Sequence, residues 1–348
     1  MNITAVTQDV GNGNSLRLIG AHLEKMGHQV EGFFGGGKPL PEGSLERINE
    51  SLKQADRLLV SFSSAESRTA EERHAMQEAV RLGVPIAVFS DIYGMYNRPW
   101  FSDLLPKAGL LFVIDENEVK TAESVVGPNT RIVHAANPYW AEFFKVKFDR
   151  EEVRSKLGID TDETMILVSG SKELERNRSL FRDVAMTTVS VESLSNIKLR
   201  VVLTTHPGAN HGQDAYEDIL GSARPLVSFA PKETGLSTQD MVAGSDLVIT
   251  GGGSTITLMA ACQRVLVVDL MHDIDKIWWK ELSGLGFWPP AKSGVSALAE
   301  SLKDIGREIL FLTKPSAESE RMRKIQREEF SLAKFENAAE KIASELVS

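Results

Sequence analysis

SDLVITGGGSTITLMAACQRVLVVD, Ser245 to Asp269, is the stretch whose reading decides the fold. Leu247 to Thr250 is a short apolar run rich in β-branched residues, the pattern of a buried strand. Gly251, Gly252 and Gly253 follow at once, and Ser254 and Thr255 stand where a helix N-cap belongs. Ile256 to Cys262 continues as a helix, and Val265 to Asp269 reads as the next parallel strand. Three residues without side chains let a ligand approach the main chain. The helix N-terminus then presents unpaired N–H groups and partial positive charge, worth about 0.3–1 kcal/mol per anionic contact at an exposed site. This is the pattern of a phosphate or diphosphate cradle, and equally that of a tight βα turn that binds nothing.

Working outward, the second half repeats the scheme. Asp149 to Leu157 reads as a helix ended by Gly158, and Thr164 to Val168 as a strand. Ser169 to Lys172 is a second small-residue turn, putting Ser171 and Lys172, with Arg176 and Arg178, within reach of a diphosphate. Helix-surface cations are usually only solvated charges. His206 ends the strand Leu199 to Thr205, where an imidazole can donate to a phosphate or sugar oxygen or simply serve the loop. Met271 to Lys276 reads as a polar loop carrying His272, Asp273 and Asp275. Glu300 to Leu312 and Glu318 to Leu346 are closing helices, the last long enough to lie across both halves.

The first half begins with strand Asn2 to Val6 and a turn carrying Gly11, Gly13 and Asn14. A helix from about Leu16 to Met26, closed by Gly27, and strand Gln29 to Phe34 follow. The glycines do not complete G-x-G-x-x-G, and the second strand lacks a terminal acid for a ribose. The turn suits a sugar or a lipid headgroup instead. A helix at Leu45 to Ala55, a strand at Arg57 to Phe62 and an amphipathic helix at Ala70 to Leu82 come next. Strand Pro85 to Ser90 delivers Asp91 to its carboxyl end, placed to accept a proton from a bound hydroxyl or to cap the turn before Gly94. Tyr93, Tyr96, Arg98 and Trp100 cluster beyond it, suited to a sugar acceptor or to a packed lid. Asn137-Pro138 and the aromatic pair after it read as a crossover between domains.

Composition bounds these readings. A chain of 348 residues suggests two α/β domains. A formal charge of -9 argues against holding nucleic acid mainly through phosphates. One cysteine, Cys262, excludes a disulfide framework and a cysteine zinc site. No apolar run approaches the roughly 20 residues of a membrane span. Met1 to Val6 starts a strand rather than a signal segment, so the expected location is the cytoplasm.

Two βα-repeating halves, a small-residue turn opening each, the Asn137-Pro138 crossover and a closing helix together resemble the GT-B class of nucleotide-sugar glycosyltransferases. Ser245 through Trp279 is similar to the donor half of the peptidoglycan N-acetylglucosaminyltransferase and its relatives. Phe89 to Tyr93 resembles the strand end bearing the catalytic base in bacteriophage DNA β-glucosyltransferase, and Asn97 to Trp100 adds to that. The resemblance implies an α/β fold of two Rossmann-like domains facing a central cleft. Its domains are an acceptor-side domain at 1–137, a donor domain at 138–330 and a closing helix at 331–348. It implies inverting, metal-independent transfer from a nucleotide-diphosphate sugar, UDP first among them, to a hydroxyl of a glycan, lipid, small molecule or, less in keeping with the charge, DNA. No tightly bound cofactor is expected.

In that scheme Asp91 is the base. Gly251, Gly252, Gly253, Ser254, Thr255, Ser171, Lys172 and His206 hold the diphosphate. His272, Asp273 and Asp275 serve the sugar or nucleotide, and Gly11, Gly13, Asn14, Tyr93 and Arg98 the acceptor. Leu258 departs from the family, whose helix carries a ribose-binding Glu there. Asp273, Asp275 and Lys276 stand in place of sugar-binding glutamines, and Asn14 where many relatives place a His. A sugar-nucleotide 2-epimerase of the same architecture would use Asp91, His206, His272 and Asp273. A non-catalytic binding or scaffold protein is the reading that Leu258 and the missing glutamines favour.

Overall fold

The computed structural model describes every residue except Pro39, Pro207, Gly208, Arg224, Pro225 and Gly253, and the side chains of Ser222 and Lys232. The first six strands are β1 (Asn2–Thr7), β2 (Gln29–Phe34), β3 (Arg57–Val60), β4 (Ile86–Phe89), β5 (Leu110–Val113) and β6 (Arg131–His134). Between them lie α1 (Val10–Lys25), α2 (Ser44–Gln54), α3 (Ala70–Leu82) and α4 (Val119–Glu123). All six strands pair in parallel, in the order β2-β1-β3-β4-β5-β6. A parallel sheet is covered on both faces, and β4 and β5 are accordingly buried at every position. Along β3, Leu58 and Val60 turn to the α2–α3 side, while Leu59 turns to the α1 side.

The second half runs α5 (Arg150–Leu157), β7 (Thr164–Ser169), α6 (Leu174–Leu194), β8 (Leu199–Thr204), α7 (Glu217–Leu220), β9 (Val227–Phe229) and α8 (Thr238–Gly244). It continues with β10 (Leu247–Gly251), α9 (Thr255–Cys262), β11 (Leu266–Leu270), α10 (Asp273–Ser283), α11 (Pro289–Ser293), β12 (Ala297–Ala299) and α12 (Leu302–Leu312). α13 (Ala317–Glu329), α14 (Leu332–Glu336) and α15 (Ala338–Val347) close the chain. The second sheet, also parallel, is ordered β12-β11-β10-β7-β8-β9. Its strand order reverses between β7 and β10, the place where open α/β sheets present ligand contacts.

Two compact units result. Unit 1 comprises Met1–Ala141, Lys280–Leu285 and Leu332–Ser348; unit 2 comprises Glu142–Trp279 and Gly286–Ser331. Unit 1 is therefore assembled from three chain segments. α15 lies on α1, where Ile342, Ala343 and Leu346 join Leu16, Ile19 and Leu23 in one buried cluster.

Three expectations are corrected. α1 starts at Val10, six residues early, so Gly11, Gly13 and Asn14 belong to its first turns and not to a separate turn before it. Helix packing overrides the local propensity there, since Asn12 is buried and donates to the Phe62 carbonyl at 2.8 Å. α10 starts at Asp273, so the polar loop shrinks to Met271 and His272, while Asp273 and Asp275 stand in a first helical turn suited to acids. The closing helix is interrupted at Phe330–Ser331 and again at Asn337; its last part belongs to unit 1.

Candidate functional site

In unit 2, two small-residue turns flank the β7–β10 switch point. Thr250 pairs with Ser169, and its hydroxyl donates to the Ser169 carbonyl at 3.2 Å. The first turn is pinned by Asn177 of α6. Its side-chain oxygen accepts from the Ser171 amide at 2.6 Å, and its Nδ2 donates to the Ser171 carbonyl at 2.9 Å and to the Tyr216 hydroxyl at 3.0 Å. A Cβ on Gly170 would meet that oxygen at 2.7 Å, so glycine is needed for the clamp itself. Asn177 was not singled out in the sequence. An Asn at helical spacing from Leu180, Phe181 and Val184, on the apolar stripe of α6, is the signal that could have found it.

The glycine turn divides into residues of different kinds. A Cβ on Gly251 would lie 3.8 Å from Arg176 Nη2, an ordinary contact. A Cβ on Gly252 would lie 2.2 Å from Met271 Cγ and 2.3 Å from its Sδ. Gly252 is thus filled by Met271, and close packing explains its glycine without any ligand. Gly253 lies outside the described residues. Ser254 is the N-cap of α9, its hydroxyl accepting from the Ile256 amide at 3.2 Å, and Thr255 opens the helix, exposed. Beneath them Asp269 is fully buried. It accepts from Thr257 Oγ1 at 2.5 Å and Trp288 Nε1 at 2.8 Å, and burial pushes its carboxyl up to about 6. Leu258 is completely buried, so that side chain offers nothing to a ribose.

Arg176 is the cation at this turn. Its Nε donates to Asp275 Oδ1 at 2.7 Å, and its guanidinium lies 4.8 Å from the centre of the Trp278 ring. Asp275 is thereby committed to an internal pair and also accepts from the His272 amide at 3.1 Å. His272 Nε2 lies 3.1 Å from Asp183 Oδ2, while Asp273 is open to solvent. Arg178 turns away to Asp218 and the Ala215 carbonyl. His206 is exposed at the β8 tip; partial desolvation and then the Lys172 charge hold its imidazole below the usual value.

In unit 1, Asp91 follows β4. Its carbonyl accepts from Asn137 Nδ2 at 2.8 Å, and the Asn137 oxygen in turn accepts from Ser15 Oγ at 2.9 Å and the Tyr139 amide at 2.8 Å. A Cβ on Gly11 would stand 3.3 Å from Asp91 Oδ2, which brings the carboxylate to the first turn of α1. Burial, and then the Asp9 charge, push the Asp91 carboxyl up to about 7 against the opposing pull of Arg98. Arg98 is buried, and its Nη1 donates to the Leu282 carbonyl at 3.1 Å. The structure thus brings Gly11, Asp91 and Arg98 together. The remaining acceptor-side residues have other engagements: Gly13 packs near Phe34 and Thr7, Asn14 accepts from Arg17 at 3.1 Å, and Tyr93 is buried with its ring 6.1 Å from that of Trp140.

No protein-family model matches the chain, and no curated protein is similar to it in sequence. Solved structures are similar in fold. The UDP-GlcNAc 2-epimerase of Neisseria meningitidis, bound to UDP-GlcNAc, superimposes with a TM-score of 0.68 at 13% identity, covering 100% of both chains. Anabaena HepE in complex with UDP and glucose gives 0.62 at 13% identity, again over 100% of both. MurG of Acinetobacter baumannii gives 0.55 at 12% identity, over 99% of this chain and 98% of that one. The chain has the GT-B fold.

Within this GT-B chain a second buried acid stands at the carboxyl edge of the unit 1 sheet. Glu72, in the first turn of α3, accepts through Oε1 from the Gln8 amide at 2.8 Å, Ser63 Oγ at 2.6 Å and Thr7 Oγ1 at 3.3 Å. Its Oε2 is buried without a partner. Burial dominates and raises its carboxyl to about 8. A carboxyl whose folded pKa is raised stabilises fully below its unfolded value, and the contribution fades as pH rises through the folded value. Replacing Glu72 by Gln is therefore expected to improve stability relative to the parent by about 1.4 kcal/mol per pH unit between roughly pH 5 and 8, then level off. Urea unfolding of both proteins across that range measures it; a flat difference would mean Glu72 is ionised throughout.

Proposed function

We propose that this chain is an enzyme that binds a nucleoside-diphosphate sugar, UDP-sugar first, and transfers the sugar with inversion to a hydroxyl acceptor. The observation that carries the reading is Asp91, a carboxyl at about 7 beside the first turn of α1, suited to take a proton at neutral pH. In this scheme unit 1 supplies the base. The acceptor oxygen bonds to the anomeric carbon, the bond from that carbon to the diphosphate breaks, and the acceptor proton passes to Asp91. Unit 2 supplies the anion site. The backbone at Gly251 and Ser254, the N-terminus of α9 and Arg176 meet the charge that develops on the leaving diphosphate. In this reading Lys172 and His206 assist, and His272 and Asp273 contact the sugar. UDP or UDP-sugar complexes among proteins of similar fold support the choice of nucleotide.

Epimerisation of the sugar is the second reading, favoured by the higher TM-score with the Neisseria epimerase than with MurG. Incubation with UDP-GlcNAc and no acceptor, followed by proton NMR, separates the two. A new UDP-sugar epimer would establish epimerisation, whereas an unchanged sugar that is consumed only when a hydroxyl acceptor is added would establish transfer. Calorimetric titration with UDP, CDP, GDP and dTDP tests the common premise. Binding of none of them would leave a scaffold protein.

A further inference from the structure

Unit 2 holds a cavity of about 300 Å³ between α10, α11 and β12, lined in part by Met271, Trp279, Phe287, Trp288 and Leu298. Met271 separates it from the glycine turn, because the same side chain fills the space over Gly252. The two indoles that floor it, 4.8 Å apart edge to face, have no donor left to offer. Trp279 Nε1 donates to the Phe287 carbonyl at 2.9 Å and Trp288 Nε1 to Asp269 at 2.8 Å. What they present is carbon. Phe287 is 41% exposed, an aromatic surface left open on one wall.

The polar groups of the cavity sit apart from that floor. Lys276 is neutralised by Glu300 at 2.5 Å and by Asp273 at 3.3 Å. Lys292 is not: its ammonium rests 3.8 Å from the centre of the Phe287 ring and pairs with no carboxylate among the described residues. An apolar slot with one uncompensated cation above an aromatic wall selects a flat hydrocarbon body ending in an anion. We propose that this cavity is a binding site for a small aromatic carboxylate, separate from the nucleotide-binding turn.

The test uses the whole chain and ligand-observed NMR titrations with 2-naphthoate and its neutral analogue 2-naphthamide. Naphthoate should bind saturably and about fivefold more tightly than the amide, the gain of one partly exposed ion pair. Lys292→Met should erase that preference while leaving amide binding in place. Ala291→Phe, which fills the cavity, should abolish binding of both. Saturating UDP should leave naphthoate bound. The proposal fails if naphthoate does not saturate, if the preference survives in Lys292→Met, or if UDP displaces it. Naphthoate binding does not depend on the sugar-nucleotide reading, so failure of UDP to bind would retire that reading alone.

Discussion

Asp91→Asn is expected to reduce turnover of the nucleotide sugar by about 10²–10⁴-fold while changing UDP affinity by no more than about twofold. The substitution keeps the shape and removes the proton acceptor. Asn137 grips the backbone carbonyl of residue 91, so the clamp from Ser15 through Asn137 should survive unchanged. The turns proposed to hold the diphosphate belong to unit 2, where no atom is altered. The parent pH–rate profile should rise through about 7 as Asp91 loses its proton, and this limb should vanish in the variant. Steady-state rates and calorimetry on the same preparation decide it. Equal turnover in the two proteins would take Asp91 out of the chemistry.

Gly94→Ala should lower stability by about 2–4 kcal/mol. Gly94 has a left-handed backbone with φ of +67°. Its amide donates to the buried Glu118 at 2.5 Å, so the loop cannot rotate away without exposing that carboxyl. A Cβ would lie 2.6 Å from both the Ser283 Cβ and its carbonyl oxygen. The obstacle is main chain rather than a movable side-chain tip. Gly83 provides the control: it is also left-handed, at +73°, with nothing within 4 Å of its would-be Cβ. Gly83→Ala should cost only about 1 kcal/mol, the backbone penalty alone. Urea unfolding of both variants separates the effects, and equal losses would mean that the Lys280–Leu285 segment is not held against Gly94.

Much of the fold is legible in the sequence, and the parts that are not share a cause. The bounds of α3 are legible because its apolar stripe and Gly83 are local signals. The strand, turn and helix from Leu247 to Cys262 were likewise readable from β-branching, glycine and an N-cap serine. The start of α1 was hidden by two glycines and two asparagines, which look like a loop until tertiary contacts explain them. Gly11 approaches Asp91, and Asn12 bonds to Phe62, 50 residues away. Gly252 was legible as a glycine but not for its packing reason, because Met271 lies on the following strand end. The return of Lys280–Leu285 to unit 1 rests on contacts such as Arg98 with Leu282, which no periodicity announces.

The three-segment make-up of unit 1 has a consequence for how the protein is born. On the ribosome, residues 1–141 emerge with α1 covered only on its sheet side, because Ile342, Ala343 and Leu346 follow about 200 residues after Ala141. At about 5–20 residues per second that wait is on the order of 10–40 s, long enough for a chaperone to bind. Unit 2 needs only one later return to finish, so the second half of the nascent chain is expected to gain protease resistance before the first.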